Sequence, residues 1–165
     1  MSIDSHISGV EAIISYIFQD KSLCAEALQM QTSADALLDF GGQLRWIAHN
    51  SRLELLGDRI NDAVLCKKWY ESCDAKGQGS PRRAFNALRN DLVTNEALGT
   101  RGFQLGLDRF VLLNLATTTV SMNMMANTFE AIVGAVYLDA GDNALEAVYN
   151  VLEHTGFFEH PMLVT

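Results

Sequence analysis

The chain has 165 residues, a hydrophobic share of 48% and a net charge of −8. That length suits a single domain, 1–165, with its core between about 8 and 156. The acidic balance argues against a generic polyanion-binding surface, and three cysteines without a CxxC pair argue against a disulfide framework or a zinc site.

The first twenty residues contain no arginine or lysine, so neither a secretory nor a mitochondrial signal is supported. No apolar run approaches the roughly 20 residues that span a bilayer. An intracellular setting, cytoplasmic or nuclear, with no membrane partner is expected.

Helical signals dominate. Ser8 to Glu11 ("SGVE") reads as a capping box ahead of Ile13, Ile14 and Ile17 at helical spacing. Short helices follow at about Lys21–Met30 and Ser33–Asp39, before "FGG" at Phe40–Gly42 breaks the chain. A long helix spans about His49–Tyr70, with Leu53, Leu56, Ile60, Ala63 and Val64 in register. Ser80 as N-cap and Pro81 at the first helical position start the next helix, which runs towards Leu98. Gly102 and Gly106 mark a turn region. "ANTFEAIVGAVYLD" forms another helix, and a last one covers about Asn143–Thr155, closed by Gly156. With no convincing period-two alternation, the expected class is all-α.

Two polar pairs interrupt this apolar pattern. Glu54 and Asp58 stand at i, i+4, and at about 100° per residue they project within about 40° of each other. Like charges at that spacing repel, and their apolar flanks draw them inward, where an unpaired carboxylate is costly. An arginine or a metal ion is therefore expected beside them. Asn127 and Glu130 stand at i, i+3, with Ala131 and Gly134 on the same face and Gly57 beside the first pair. Small residues there would let the helices approach, and four oxygen-bearing side chains suit a hard cation such as Mg²⁺. Two other readings remain open: a solvated acidic face, and Asn127 as an N-cap with Glu130 as its partner.

Between Cys66 and Phe110 lie eight of the twelve basic residues against five acids. Such a segment fits a binding surface or a solvated helix face.

"NSRLELLGDRI" (Asn50–Ile60) resembles the ribonuclease III signature NERLEFLGDxx, and "MANTFEAIVGAVYLDAG" (Met125–Gly141) resembles that family's second motif, ADxFEAxxGAxYLDxG. "YIFQDKSLCAEAL" and "NDLVTNEALGTRGFQLGLDRFVLL" resemble the family's opening helix and the segment between the motifs. The similarity covers about Tyr16–Leu152. The size and "KKWYES" look most like short, single-domain fungal members.

The resemblance implies an all-helical bundle that forms a two-fold dimer around a valley for duplex RNA. It implies hydrolysis of the phosphodiester with Mg²⁺, for which Mn²⁺ can substitute, leaving a 5′-phosphate and a short 3′ overhang. In the matching positions Glu54 and Glu130 are direct metal ligands, Asp58 holds the metal through water, and Asn127 occupies the fourth ligand position, an aspartate in the family. Ser51 replaces a further glutamate. Leu55 replaces a phenylalanine that plugs a socket on the partner subunit, so the homodimer contact is expected around Leu55. No room is expected after Thr165 for a double-stranded-RNA-binding domain, which leaves RNA affinity to the basic segment, above all Arg82, Arg83 and Lys76. The alternative is a non-catalytic relative that binds structured RNA or a ribosomal particle, to which the loss of an acid at Asn127 points.

Overall fold

The computed structural model describes residues 2–30, 34–74 and 76–163. Among these residues seven α-helices, three short 3₁₀ helices and one β-hairpin make up the regular structure. The expected helical architecture is what forms, and the hairpin is the departure from it.

Helix α1 (Ile3–Ile14) begins earlier than the Ser8 capping box suggested. Ser2 is the cap, its side chain accepting from Asp4 N at 3.2 Å. Ile3, Ile7, Val10 and Ile14 then form one buried stripe. Glu11 serves the interior instead of a cap: its carboxylate accepts from Phe18 N at 2.8 Å and pairs with Lys21. The helix stops at Ser15, the one non-glycine residue among those described with positive φ (55°), and this leaves Ile17 exposed. Helix α2 (Lys21–Leu28) is capped by Asp20.

Where a third short helix was expected, the chain forms strands β1 (Ala36–Phe40) and β2 (Gln43–Ile47), paired antiparallel from Ala36↔Ile47 to Phe40↔Gln43. The residue at which that helix was to begin, Ser33, lies outside the described residues. Gly41 and Gly42, with φ of 59° and 94°, supply the two-residue turn that joins twisted strands. What had looked like a helix breaker is thus a hairpin signal. Leu37, Leu44 and Trp46 lie on its exposed face.

Helix α3 (Ser51–Glu71) is the long helix expected at this position. Asn50 precedes it and is fully buried, its Nδ2 donating to Ala27 O at 3.1 Å, which ties α2 to the start of α3. Helix α4 (Arg82–Leu92) has Pro81, not Ser80, at the cap position, and the Ser80 hydroxyl accepts from Trp69 Nε1–H at 2.6 Å.

The helix expected to run to Leu98 breaks at Val93. Thr94 starts α5 (Asn95–Leu105), accepting from Ala97 N at 3.3 Å. Gly99 and Gly102 are buried inside α5, not in a turn. A Cβ at Gly99 would lie 2.6 Å from Met122 O, and one at Gly102 2.6 Å from Met125 Cγ, so both serve close packing. Gly106 does end the helix, in the left-handed region at φ 74°.

Helix α6 (Met122–Asp139) is the central element, buried along most of its length from Met125 to Val136. Its last residue, Asp139, accepts from the Tyr16 hydroxyl and from the backbone N–H of Gln19 and Asp20 at 2.7–2.8 Å, anchoring the α1–α2 loop. Helix α7 (Ala144–His154) packs on α6, and Gly156 (φ 72°) turns the chain after it. The core extends past the expected 8–156 bounds at both ends, taking in Ile3, Ile7, Phe157, Phe158 and Leu163. All three cysteines are free. Among the described residues no helix is long and apolar enough to cross a membrane.

Candidate active site

Helices α3 and α6 cross at two glycines. A Cβ on Gly57 would lie 1.8 Å from Glu130 O, and one on Gly134 would lie 2.4 Å from Leu53 O. The backbones are therefore in direct contact, as the small residues in both motifs suggested. The pairing of Leu53 with Gly134 and of Gly57 with Glu130 makes the two helices antiparallel.

This crossing sets the site. Glu130 is buried on α6, 7% exposed, with no hydrogen-bond partner for its carboxyl among the described residues. Burial raises its pKa to about 7, and the negative charges of Asp58, Glu54 and Asp62 add to that shift in this order. Glu54 is half-buried, and its pKa is raised first by burial and then by Asp58, while His49 opposes the shift. The structure thus brings Glu54, Asp58 and Glu130 into one electrostatic unit.

Asn127 lies one turn before Glu130 on the same helix, half-buried. The cap of α6 is Ser121, which accepts from Met124 N at 3.2 Å. Asn127 is therefore inside the helix, and the capping-box reading of Asn127 and Glu130 does not hold.

Two arginines approach the stripe without reaching Glu130. Arg59 lies 3.4 Å from Asp58, and Arg89 of α4 binds Asp62 with both Nε and a terminal nitrogen, at 2.8 and 2.9 Å. This bidentate pair raises the pKa of Arg89. Asp62, Arg89 and Asn61 were missed in the sequence. Asp62 extends the stripe by a further i+4 step, and Asn61, at i+7 from Glu54, lies on the same face of the helix. Either spacing could have revealed them.

The donors suit a hard cation. A buried carboxyl surrounded by acids lacks the positive charge that would stabilise its ionised form, and Asn127 adds an amide oxygen. Among the described residues no three Asp, Glu, His or Cys side chains already converge closely enough to ligate an ion. Carboxylates that repel one another stay apart, with Asp58 beside Arg59 and Asp62 held on Arg89.

The remaining expected residues lie outside this cluster. Lys76, Arg82 and Arg83 are exposed, the first in a turn and the others opening α4. Arg82 precedes Arg89 by seven residues and so shares its face of α4. Leu55 is 60% exposed, on the side of α3 away from α6.

The profile of a family described as "Ribonuclease-III-like" matches residues 40–154. Proteins named ribonuclease 3 are similar to the chain. That of Carboxydothermus hydrogenoformans is 28% identical over 89% of this chain and 59% of its own length. The one from Bdellovibrio bacteriovorus is 30% identical over 84% and 57%. The protein from Phocaeicola vulgatus is 35% identical, but over 59% of this chain and 30% of its own length. The chain thus spans less than two thirds of each of these relatives. All three are bacterial, so the fungal likeness has no support from them. A solved structure of the nuclease domain of ribonuclease III from Campylobacter jejuni, described for flexibility in the region involved in dimer formation, superposes with a TM-score of 0.71 at 26% identity. The match covers 91% of this chain and 96% of that one.

Proposed function

The chain belongs to the ribonuclease-III-like family, and on that premise we propose that it is a divalent-cation-dependent endonuclease that hydrolyses double-stranded RNA. The buried Glu130 carboxyl, pressed by three acids and by no base, carries this proposal. Glu54, Glu130 and the Asn127 amide oxygen would hold Mg²⁺, and Asp58 would orient the attacking water. When bound, the cation supplies activation of that water and stabilisation of the leaving oxygen. Arg82, Arg83 and Lys76 would contact phosphates, and because Arg82 shares a face of α4 with Arg89, that contact would adjoin the acidic stripe. Affinity resting on so few contacts is salt-dependent. Purified protein incubated with labelled duplex RNA should cleave it in Mg²⁺ or Mn²⁺ and not in EDTA.

Asn127 favours a second reading, a non-catalytic RNA-binding relative, since it removes one charge from the site. The variant Asn127→Asp separates the two. With the charge restored, an enzyme should need on the order of tenfold less Mg²⁺, about 1.4 kcal/mol of cation binding, and cleave faster. Identical Mg²⁺ dependence in both proteins would exclude a ligand role for Asn127. Duplex binding without cleavage in either would establish the second reading.

Cutting both strands of a duplex takes two sites, so an isologous two-fold dimer with Leu55 at its contact completes the proposal. Exposed as it is, Leu55 leaves an apolar side chain for a partner to cover. Leu55→Asp should lower the dimer fraction at least tenfold at micromolar concentration, measured by analytical ultracentrifugation, while leaving the melting temperature of the monomer unchanged. A parent protein that sediments only as a monomer at tens of micromolar would rule the contact out.

A further inference from the structure

The face of α3 that meets α6 carries a third polar group beyond Glu54 and Asp58. Asn61 stands at i+7 from Glu54, and at about 100° per residue it lies within about 20° of that side chain. It differs from both acids in being completely buried, and neither its Oδ1 nor its Nδ2 has a hydrogen-bond partner among the described residues. A buried carboxamide without partners is rare in folded proteins, because it has given up its water for nothing. Its neighbours along the helix, Val64 and Leu65, are ordinary core residues, and an apolar side chain at position 61 would not suffer that loss.

Its position explains the exception. Gly57 touches Glu130 O, and Leu53 O touches Gly134 in the antiparallel crossing. One turn beyond Gly57, Asn61 comes opposite the α6 turn that contains Ala126 and Asn127. Asp58 and Asp62, which bracket Asn61 along α3, both act on the Glu130 carboxyl. By this register the buried, unpartnered amide faces the α6 turn that holds Asn127, one helical turn from the Gly57–Glu130 contact.

We infer that Asn61 is a positioning residue for that site. Its Nδ2–H groups donate to Glu130 once a cation draws that carboxylate into its ligating orientation, and its Oδ1 accepts from the Asn127 amide, turning the Asn127 oxygen towards the ion. The carboxamide fixes which atoms face the cation and touches neither cation nor RNA. This rests on the proposed cation-dependent function and adds to it the group that orients a weakened ligand set.

The test is a pair of variants, Asn61→Leu and Asn61→Ala, studied by Mg²⁺ titration calorimetry and by thermal melts in EDTA and in Mg²⁺. Asn61→Leu should melt in EDTA at or above the temperature of the parent, since it removes an unpaired polar group. Both variants should bind Mg²⁺ at least tenfold more weakly and lose most of the cation-induced rise in melting temperature. Unchanged Mg²⁺ affinity in the two variants would overturn the inference and leave the cation site intact. A variant that loses stability in EDTA while binding Mg²⁺ normally would overturn it too, because Asn61 would then serve the core alone. Absence of any Mg²⁺ or Mn²⁺ response in the parent would bring down the cation-dependent function itself, and the role of Asn61 with it.

Discussion

A Glu130→Gln variant is expected to cleave no duplex RNA and yet to be more stable than the parent at pH 8 in EDTA. Burial, and then Asp58, Glu54 and Asp62, lift the folded-state pKa of Glu130 from 4.5 to about 7. The folded protein therefore holds this proton more tightly than the unfolded chain does. The resulting stability is fully present below pH 4.5 and is lost as the pH rises to about 7. Above that the protein bears a buried negative charge, a difference of up to about 3 kcal/mol at about 1.4 kcal/mol per unit. Glutamine has nothing to ionise, so the variant should show no decline from this site between pH 5 and 8. Mg²⁺ should recover the lost stability in the parent and not in the variant. Urea melts at pH 5 and 8, with EDTA or Mg²⁺, decide it. A parent whose stability is flat over that range, or a variant that still cuts, would contradict the assignment.

The second large effect belongs to the helix crossing. Gly57→Ala and Gly134→Ala each place a methyl group against a backbone carbonyl, at 1.8 and 2.4 Å in the unrelaxed structure. A flexible side chain could swing aside, but a helix backbone has to translate. Overpacking costs about 1–3 kcal/mol where side chains yield, and the backbone contact puts these sites at the upper end. At about 2–4 °C per kcal/mol for a chain of this size, each variant should melt roughly 6–12 °C below the parent. Separating α3 from α6 also carries Glu54 and Asp58 away from Glu130, so Mg²⁺ affinity and cleavage should fall together. Gly79→Ala is the control, since nothing lies within 4 Å of its added methyl. Its melting temperature should match the parent, and equal losses at Gly79 and Gly57 would refute the close crossing.

The parts of this molecule that follow from local periodicity were legible in the sequence. Helix α3 came from repeated apolar positions, and the Glu54–Asp58 spacing placed both acids on one face. The small residues Gly57, Ala131 and Gly134 indicated which helices could meet. The hairpin was not legible. Its strands are five residues each, too short to separate alternation from a helical stripe, and Leu37 and Leu38 suit either. The break at Thr94 depends on one side-chain cap, which weighs little against the apolar run through Leu88 and Leu92. Asn61 and Asp62 stand at helical spacing from Glu54 and Asp58, but the unpartnered burial of the one and the pairing of the other with Arg89 depend on neighbours distant in the chain.

The hairpin and the α3–α4 connection also divide the optical properties of the chain. It has two tryptophans. Trp46 stands on the open face of β2, 69% exposed, where its indole emits as if in water. Trp69 is partly buried against Phe85, ring centroids 5.3 Å apart, with its N–H bound to Ser80, so its emission lies further to the blue. Intrinsic fluorescence is thus a sum of two independent reporters. With Trp46→Phe the remaining signal follows the α3–α4 crossing alone, and a quencher such as iodide applied to the intact chain selects the hairpin.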